Sequence, residues 1–473
     1  MIGRKDELSI LDECRRADRS RLVVVYGRRR VGKTFLVREA FDYRFTFSHT
    51  GMEKGSCREQ LASFWSDLRR QCHLEIPVPR NWMEAFESLK DALEASPDER
   101  KTVFIDEMPW MDTKNSGFVK AIESFWNGWG SARKDVVMVV CGSAASCMAK
   151  KVLQNRGGLF NRANRTIRLE PFTLAECEQF VREEGLSMDR KDIVSAYMIF
   201  GGAPYYWSLL DRSQSLSQNI DRLFFGKTAE LAGEFDRLYK SVFPAPEPYV
   251  AVVTALGCKK AGMTRGELAE AVPGVANDGT LTELLRNLET SGFVRRYAET
   301  GKAKKGSVYQ LVDNFTLFHF RFVRDYSGRD PSRWSHMAHD AHRTTWEGLA
   351  FERVCLQHTA QIKAALGISG VETAESEWRC VSHDPDVKGA QIDLVIERAD
   401  RVVNLCEMKF CSEQFAIDAA YATRLREKVG AFKRETGTNS NCHVTFVTTY
   451  GLRRNAYSGI VNSEVTMDDL FRN

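Results

Sequence analysis

The stretch RLVVVYGRRRVGKTFLVREAF, residues 21–41, decides the fold of the first half of this chain. The apolar run Leu22–Val25 leads into Gly27, and a helical pattern starts near Lys33. Between them GRRRVGKT fills every defined place of G-x-x-x-x-G-K-[ST], with Gly27, Gly32, Lys33 and Thr34 at the fixed positions. That spacing has a mechanical reason. Backbone N–H groups of such a loop wrap phosphate oxygens, the lysine reaches the β- and γ-oxygens, and the following hydroxyl ligates Mg²⁺. The nucleotide-contacting residues are therefore read as Gly27, Arg28, Arg29, Arg30, Val31, Gly32, Lys33, Thr34 and Phe35. A strand before and a helix after separate this reading from a chance glycine-rich turn. Three arginines inside the loop are unusual; they either add phosphate affinity or face solvent.

Working outward, YRFTFSH reads as a strand, and residues 56–72 and 81–96 read as helices. In KTVFIDEMPWM the apolar run Val103–Ile105 ends in Asp106-Glu107. Open α/β sheets bind ligands at the C-terminal ends of their strands. There Asp106 can help to hold magnesium and Glu107 can orient and deprotonate an attacking water. A further buried strand, DVVMVVCGSAAS, ends at Ser143, a candidate sensor of the γ-phosphate, although Gly-Ser after a strand is also ordinary turn chemistry. RTIRLEPF supplies one more strand.

Composition sets the outer limits. The chain has 473 residues, 43% hydrophobic and 27% charged, with a formal net charge of +4, which suits a multidomain globular protein. Its longest apolar runs are strand-sized, below the ~18 residues of a membrane span. The charged N-terminus lacks a signal-peptide core, so a cytoplasmic location with no membrane partner is expected. Twelve cysteines form no CxxC pair, which points to reduced thiols rather than disulfides or zinc.

The opening IGRKDELSIL, with GRRRVGKT, VFIDEM, VVCGSAAS, LFNRANRTIRLEPF and IFGGAPYYWSLL, resembles the archaeal-type P-loop ATPases of the AAA+/STAND group. The resemblance implies a core sheet with the phosphate-loop strand beside a last strand, and adenine contacts near Ile2-Gly3-Arg4. It also implies an arginine finger at Arg162, with Arg165 as the near alternative; a plain surface arginine is the competing reading.

From Phe172 the pattern is helical up to about Arg237, broken by Gly201-Gly202-Ala203-Pro204, and it resembles the lid of such ATPases. Beyond PAPEPYV come three short helical patterns and a basic hairpin joined by GKAKKG, a winged helix-turn-helix arrangement. Arg286, Arg295, Arg296, Lys302, Lys304 and Lys305 would meet DNA phosphates, whereas Glu283 and Glu289 argue against deep groove contact. Winged helices also dock proteins, which is the bland alternative. The histidines of SHMAHDAHR drift around a helix and read as a solvated linker rather than a metal site.

The last third poses a sharper question. In QIDLVIERADRVVNLCEMKF, residues 391–410, Glu407 and Lys409 share one face of an apolar strand. A buried charge there demands a partner. The order helix with Glu352 (Glu347 nearby), strand with Asp393, strand with Glu-x-Lys resembles the PD-(D/E)XK nuclease-like fold. The resemblance implies Asp393 and Glu407 as ligands of Mg²⁺ or Mn²⁺, Lys409 at the water and phosphate, and Glu352 reaching in. A cross-strand ion cluster without metal would look the same in sequence.

The expected architecture is α/β throughout: a P-loop NTPase sheet (1–170), a helical lid (171–240), a winged helix-turn-helix (241–325) and a restriction-endonuclease-like α/β domain (340–473). The expected function is ATP binding and hydrolysis controlling a metal-dependent nuclease, with ATP, DNA, and a second copy or a partner protein as partners. The alternatives are a STAND-like ATP switch or a DNA-binding regulator with an inactive nuclease-like domain.

Overall fold

The computed structural model describes the chain apart from residues 74, 76, 114, 144–162, 298–306, 381–388 and 473. It divides into two compact units. The first comprises Met1–Pro171 with Ala203–Tyr205 and Arg237–Pro246; the second comprises Phe172–Gly202, Tyr206–Asp236 and Glu247–Asn473.

In the first unit β1 (Arg21–Gly27), β2 (Phe47–Thr50), β3 (Lys101–Asp106), β4 (Val136–Gly142) and β5 (Arg165–Leu169) form one sheet. Its order is β2-β3-β4-β1-β5 and every pair is parallel. The continuous apolar runs seen in sequence follow from burial on both faces. Leu22, Val24, Val103, Ile105 and Met138 pack against Phe64, Trp82, Phe86, Phe118 and Phe125. Their neighbours Val23, Val25, Phe104 and Val139 meet Leu11, Leu36 and Phe41 on the other side. Helices Cys57–Cys72 and Trp82–Ala95 lie where the sequence places them. Helix Phe118–Gly128 is not among the expected elements, although Phe118, Ala121, Ile122, Phe125 and Trp126 keep helical spacing and are buried.

In the second unit, helices Leu174–Glu183 and Arg190–Phe200 do not stand apart as a lid. Aromatic packing explains why. Phe200 lies 6.0 Å from Phe224, Phe224 lies 4.8 Å from Phe318, and Phe318 lies 5.5 Å from Trp346, ring centre to ring centre. The run NFTLFHFRFVRDY therefore completes a core whose other half comes from the helical segment.

The Gly201-Gly202 break has a steric cause. Phe172 N donates to Gly202 O at 2.6 Å, and a Cβ on Gly202 would fall 1.9 Å from Phe172 O. Gly202→Ala is expected to destabilise this unit by about 3 kcal/mol, the upper end of overpacking costs. Thermal melting checks this; an unchanged midpoint would show that the backbone yields cheaply.

Further along the second unit lie helices Glu247–Gly257, Arg265–Ala271 and Gly279–Thr290, with β6 (Met263–Thr264), β7 (Val294–Tyr297) and β8 (Val308–Leu311) in the order β6-β8-β7. Thr264 caps the second helix: Glu267 N donates to its Oγ1 at 3.3 Å, and Thr264 N donates to Glu267 Oε2 at 2.7 Å. Lys302, Lys304 and Lys305 lie outside the described residues.

The last sheet contains β9 (Thr373–Cys380), β10 (Ala390–Arg398), β11 (Val402–Lys409), β12 (Asn441–Thr448) and β13 (Ser463–Thr466), in the order β13-β12-β11-β10-β9. Strands β9 to β11 run antiparallel, and β12 returns parallel to β11. A parallel return needs a crossover, here helix Ala419–Thr436. Its Phe432 packs on Trp378, Ile392, Val395, Val403 and Leu405.

Candidate functional site

The C-terminal ends of β1, β3 and β4 bring together Gly27, Asp106 and Ser143. Gly27 cannot carry a side chain, because a Cβ would lie 2.3 Å from Leu169 O on β5. The loop then turns through left-handed backbone at Arg30 (φ 74°) and Gly32 (φ 88°). Buried Lys33 donates to Gly27 O at 3.3 Å and to Arg28 O at 2.9 Å, and its pKa is lowered mainly by burial. Val31 is buried, whereas Phe35 is exposed.

Thr34 Oγ1 donates to Asp106 Oδ2 at 2.7 Å, and Asp106 Oδ1 accepts from Glu107 N at 2.9 Å. Glu107 adopts φ 47°, a conformation that costs energy for a residue with a side chain and recurs at functional sites. Its Oε2 accepts from Ser143 Oγ at 2.7 Å and from Ser143 N at 3.4 Å. One line of contacts thus joins the loop hydroxyl, two carboxylates and the serine.

The loop arginines are half-buried. Arg30 lies 3.8 Å from the centre of the Tyr205 ring and Arg29 lies 5.9 Å from that of Trp110, with Arg29 Nη1 buried and unpartnered. Sequence reasoning missed both rings, because neither adjoins the loop in the chain.

Residues 1–210 match the model of a family described as an ATPase domain predominantly from Archaea. The first 210 residues are an archaeal-type ATPase domain. The chain is also 25% identical over 333 residues to an uncharacterized protein of Methanocaldococcus jannaschii, covering 68% of each. Among solved structures it is similar to a Walker-type ATPase of Pyrococcus abyssi (17% identity, TM-score 0.48, 68% of this chain and 96% of that one). It is likewise similar to the ORC2 protein of Aeropyrum pernix in its ADPNP-ADP complexes (13% identity, TM-score 0.40, 76% and 96%).

In the ATPase domain Gly3 and Arg4 have positive φ, and Arg4 is buried, donating to Glu170 O at 2.7 Å. Arg162 lies outside the described residues. Arg165 pairs in register with Val23 near the start of β1, while the phosphate loop follows its other end. As a finger, Arg165 would have no route to the phosphates bound by its own sheet.

The second cluster lies at the ends of β10 and β11. One extra residue in β10 between Ile392 and Val395 forms a bulge against β9, and bulges re-aim side chains. Asp393 sits in that bulge, and its Oδ2 accepts from Met408 N at 3.1 Å. Its pKa is pushed well above the ordinary carboxylate range, by burial first and then by Glu352 and Glu407. Glu407 is buried on the face that Val403 and Leu405 present to helix Ala419–Thr436. There it pairs with Lys428, accepts from Tyr421 OH at 3.0 Å and lies 3.6 Å from Lys409. The shared face of Glu407 and Lys409 thus has protein partners.

The signal for those partners was present as a helical stripe, Tyr421, Leu425, Lys428 and Phe432, in the closing helix. Glu352 pairs with Lys260 at 2.8 Å, and Glu347 with Arg343 at 2.9 Å. Among the described residues no three His, Cys, Asp or Glu side chains gather closely enough to hold a cation. Asp393, Glu407 and Glu352 are therefore neighbours rather than one preformed ligand set.

Two further expectations need correction. Arg295, expected to face DNA phosphates, donates to Gln310 at 2.7 Å and pairs with Glu377 of β9. Of the other cations expected to meet DNA, Arg286 is exposed and Arg296 reaches Glu289 at 3.9 Å. His336 and His342 belong to different helices, bonded to Asp330 and Arg321 respectively, both at 3.0 Å. Described cysteines are free thiols. No described helix is long and apolar enough to cross a membrane.

Proposed function

We propose that this chain binds ATP with Mg²⁺ at Gly27–Thr34, hydrolyses it with Glu107 as base, and uses that cycle to control a metal-dependent, DNA-acting nuclease site in its C-terminal half. The contact line Thr34–Asp106–Glu107–Ser143 carries the reading. Thr34 and Asp106 place a hydroxyl and a carboxylate oxygen 2.7 Å apart, a donor pair suited to Mg²⁺, which neutralises phosphate charge when bound. Lys33 exchanges its loop carbonyls for phosphate oxygens. Ser143 fixes Glu107 Oε2, leaving Oε1 to accept the proton of the attacking water. A finger from Arg162, in the same chain or a second copy, completes the charge balance.

For the C-terminal half, the order helix, strand, helix, helix, hairpin supports a winged helix contacting DNA. The order helix, three antiparallel strands, crossover helix, parallel strand supports a PD-(D/E)XK-like domain. Asp393 and Glu407 would hold Mg²⁺ or Mn²⁺, with Glu352 beside them and Lys409 next to the phosphate charge. Burial, and then Glu352 and Glu407, raise the pKa of Asp393, and a cation would offset that crowding if the three carboxylates closed on it. A second reading has its own observation: Glu407 is held by Lys428 and Tyr421, as in an ion cluster that only supports a sheet. It makes the chain an ATP switch or DNA-binding regulator with an inactive nuclease-like domain.

Steady-state ATP turnover in wild type and Lys33→Ala, with and without DNA, tests the proposal. Turnover should fall at least about a hundredfold in the variant, because the lysine charge would both hold the phosphates and offset the charge that develops on them. A single slow turnover with retained ADP in wild type would replace hydrolytic control by the switch.

A further inference from the structure

A cavity of about 600 Å³ opens in the second unit beside Asp393. That volume is typical of a small-ligand site. Its walls include Lys260, Arg321, Phe320, Trp346, Arg353 and Asp393. Basic and acidic groups meet here, yet their pairing is uneven. Lys260 has Glu352, and Arg321 has His342. Arg353 has no hydrogen-bond partner for Nε or Nη2, both of which are out of solvent. Trp346, one heptad earlier on helix Ala341–Gln357, likewise leaves Nε1 buried and unbonded. Residues seven apart lie on one helical face, so both unpaired donors border the same cavity.

Two guanidinium nitrogens out of solvent without an acceptor are costly, and an apolar residue of similar volume there is often neutral or stabilising. Packing therefore gives no reason for Arg353. An oxyanion does: the planar guanidinium fork matches phosphate, and the half-buried Phe320 ring on the cavity wall offers flat apolar surface for a base.

We propose that this cavity binds a single nucleotide unit, its phosphate on Arg353. The inference rests on the nuclease reading, in which it names the strand-holding subsite. Neither Arg353 nor Trp346 belongs to the signature that suggested that reading. The chemistry is shared by a free nucleoside monophosphate and by a nucleotide within a strand, and the test separates them.

The experiment uses the full chain in a Lys33→Ala background, so that the phosphate loop does not take up the probe. Equilibrium dialysis compares thymidine 5′-monophosphate, thymidine, inorganic phosphate and a short single-stranded oligonucleotide, in EDTA. Thymidine 5′-monophosphate should bind and thymidine should not, and Arg353→Met should weaken binding by about ten- to a hundredfold. Arg353→Lys should restore part of it, and the melting temperature of Arg353→Met should stay level or rise. Competition by the oligonucleotide assigns the site to strands; its absence assigns it to free nucleotide. Equal binding by wild type and Arg353→Met, or no binding by wild type at millimolar probe, overturns the inference. So does a lower melting temperature with unaltered binding. DNA cleavage is measured separately: Arg353-dependent binding in a chain that cuts nothing removes the nuclease reading and keeps the nucleotide site. Cleavage with binding indifferent to Arg353 does the reverse.

Discussion

Glu107→Gln is expected to lower kcat for ATP hydrolysis by roughly a thousandfold, within the range of general-base contributions, with little change in ATP affinity. The split follows from the geometry. Ser143 bonds the Oε2 position, and a glutamine amide can still occupy the site and meet the hydroxyl. The basic atom is lost, while Lys33, Thr34 and the loop backbone that would grip the phosphates remain. Single-turnover hydrolysis with a separate binding measurement checks both halves. A loss of affinity as large as the loss of rate would instead make Glu107 a structural support of the loop, consistent with its strained φ of 47°.

The second large effect is expected at Asp393. Asp393→Asn should reduce Mg²⁺- or Mn²⁺-dependent cleavage of plasmid DNA at least about a hundredfold, while the protein stays folded. Asparagine is preferred to alanine for a physical reason. Met408 N donates to the Asp393 side chain, and alanine would leave that buried N–H unpaired, at about 1–3 kcal/mol. The amide oxygen of asparagine still accepts this bond and removes a buried charge crowded by Glu352 and Glu407. The melting temperature is therefore expected to hold or rise as cleavage disappears. Wild type that hydrolyses ATP but cuts no DNA in either metal would select the switch reading. Lys428, Tyr421 and Glu407 would then be a scaffold.

Legibility in the sequence differed sharply between the two halves. Gly27, Lys33, Thr34, Asp106, Glu107 and Ser143 could be named from local pattern alone. Gly27, Asp106, Glu107 and Ser143 sit where a buried parallel strand ends, and Lys33 and Thr34 open the helix after the loop; a two-sided apolar run followed by a polar or glycine-rich turn marks these places without any knowledge of partners. Helix Phe118–Gly128 is equally legible in the helical spacing of Phe118, Ala121, Ile122 and Phe125.

In the C-terminal half the residue types were legible but their pairings were not. The sequence by itself determined that Glu407 and Lys409 share a face, because strand side chains alternate. It also determined that Asp393 precedes them on a neighbouring strand. Only the tertiary structure decided that Glu407 is answered by Lys428 and Tyr421 from the crossover helix, and that a bulge turns Asp393 out of strict alternation. It alone decided that Lys260 and Arg295 meet Glu352 and Glu377, and that the helical segment after Phe172 shares its aromatic core with Phe318 and Trp346. Periodicity fixes the face on which a side chain lies through backbone geometry a few residues long. Which charge or ring it meets depends on how distant segments pack, and chain spacing does not carry that information.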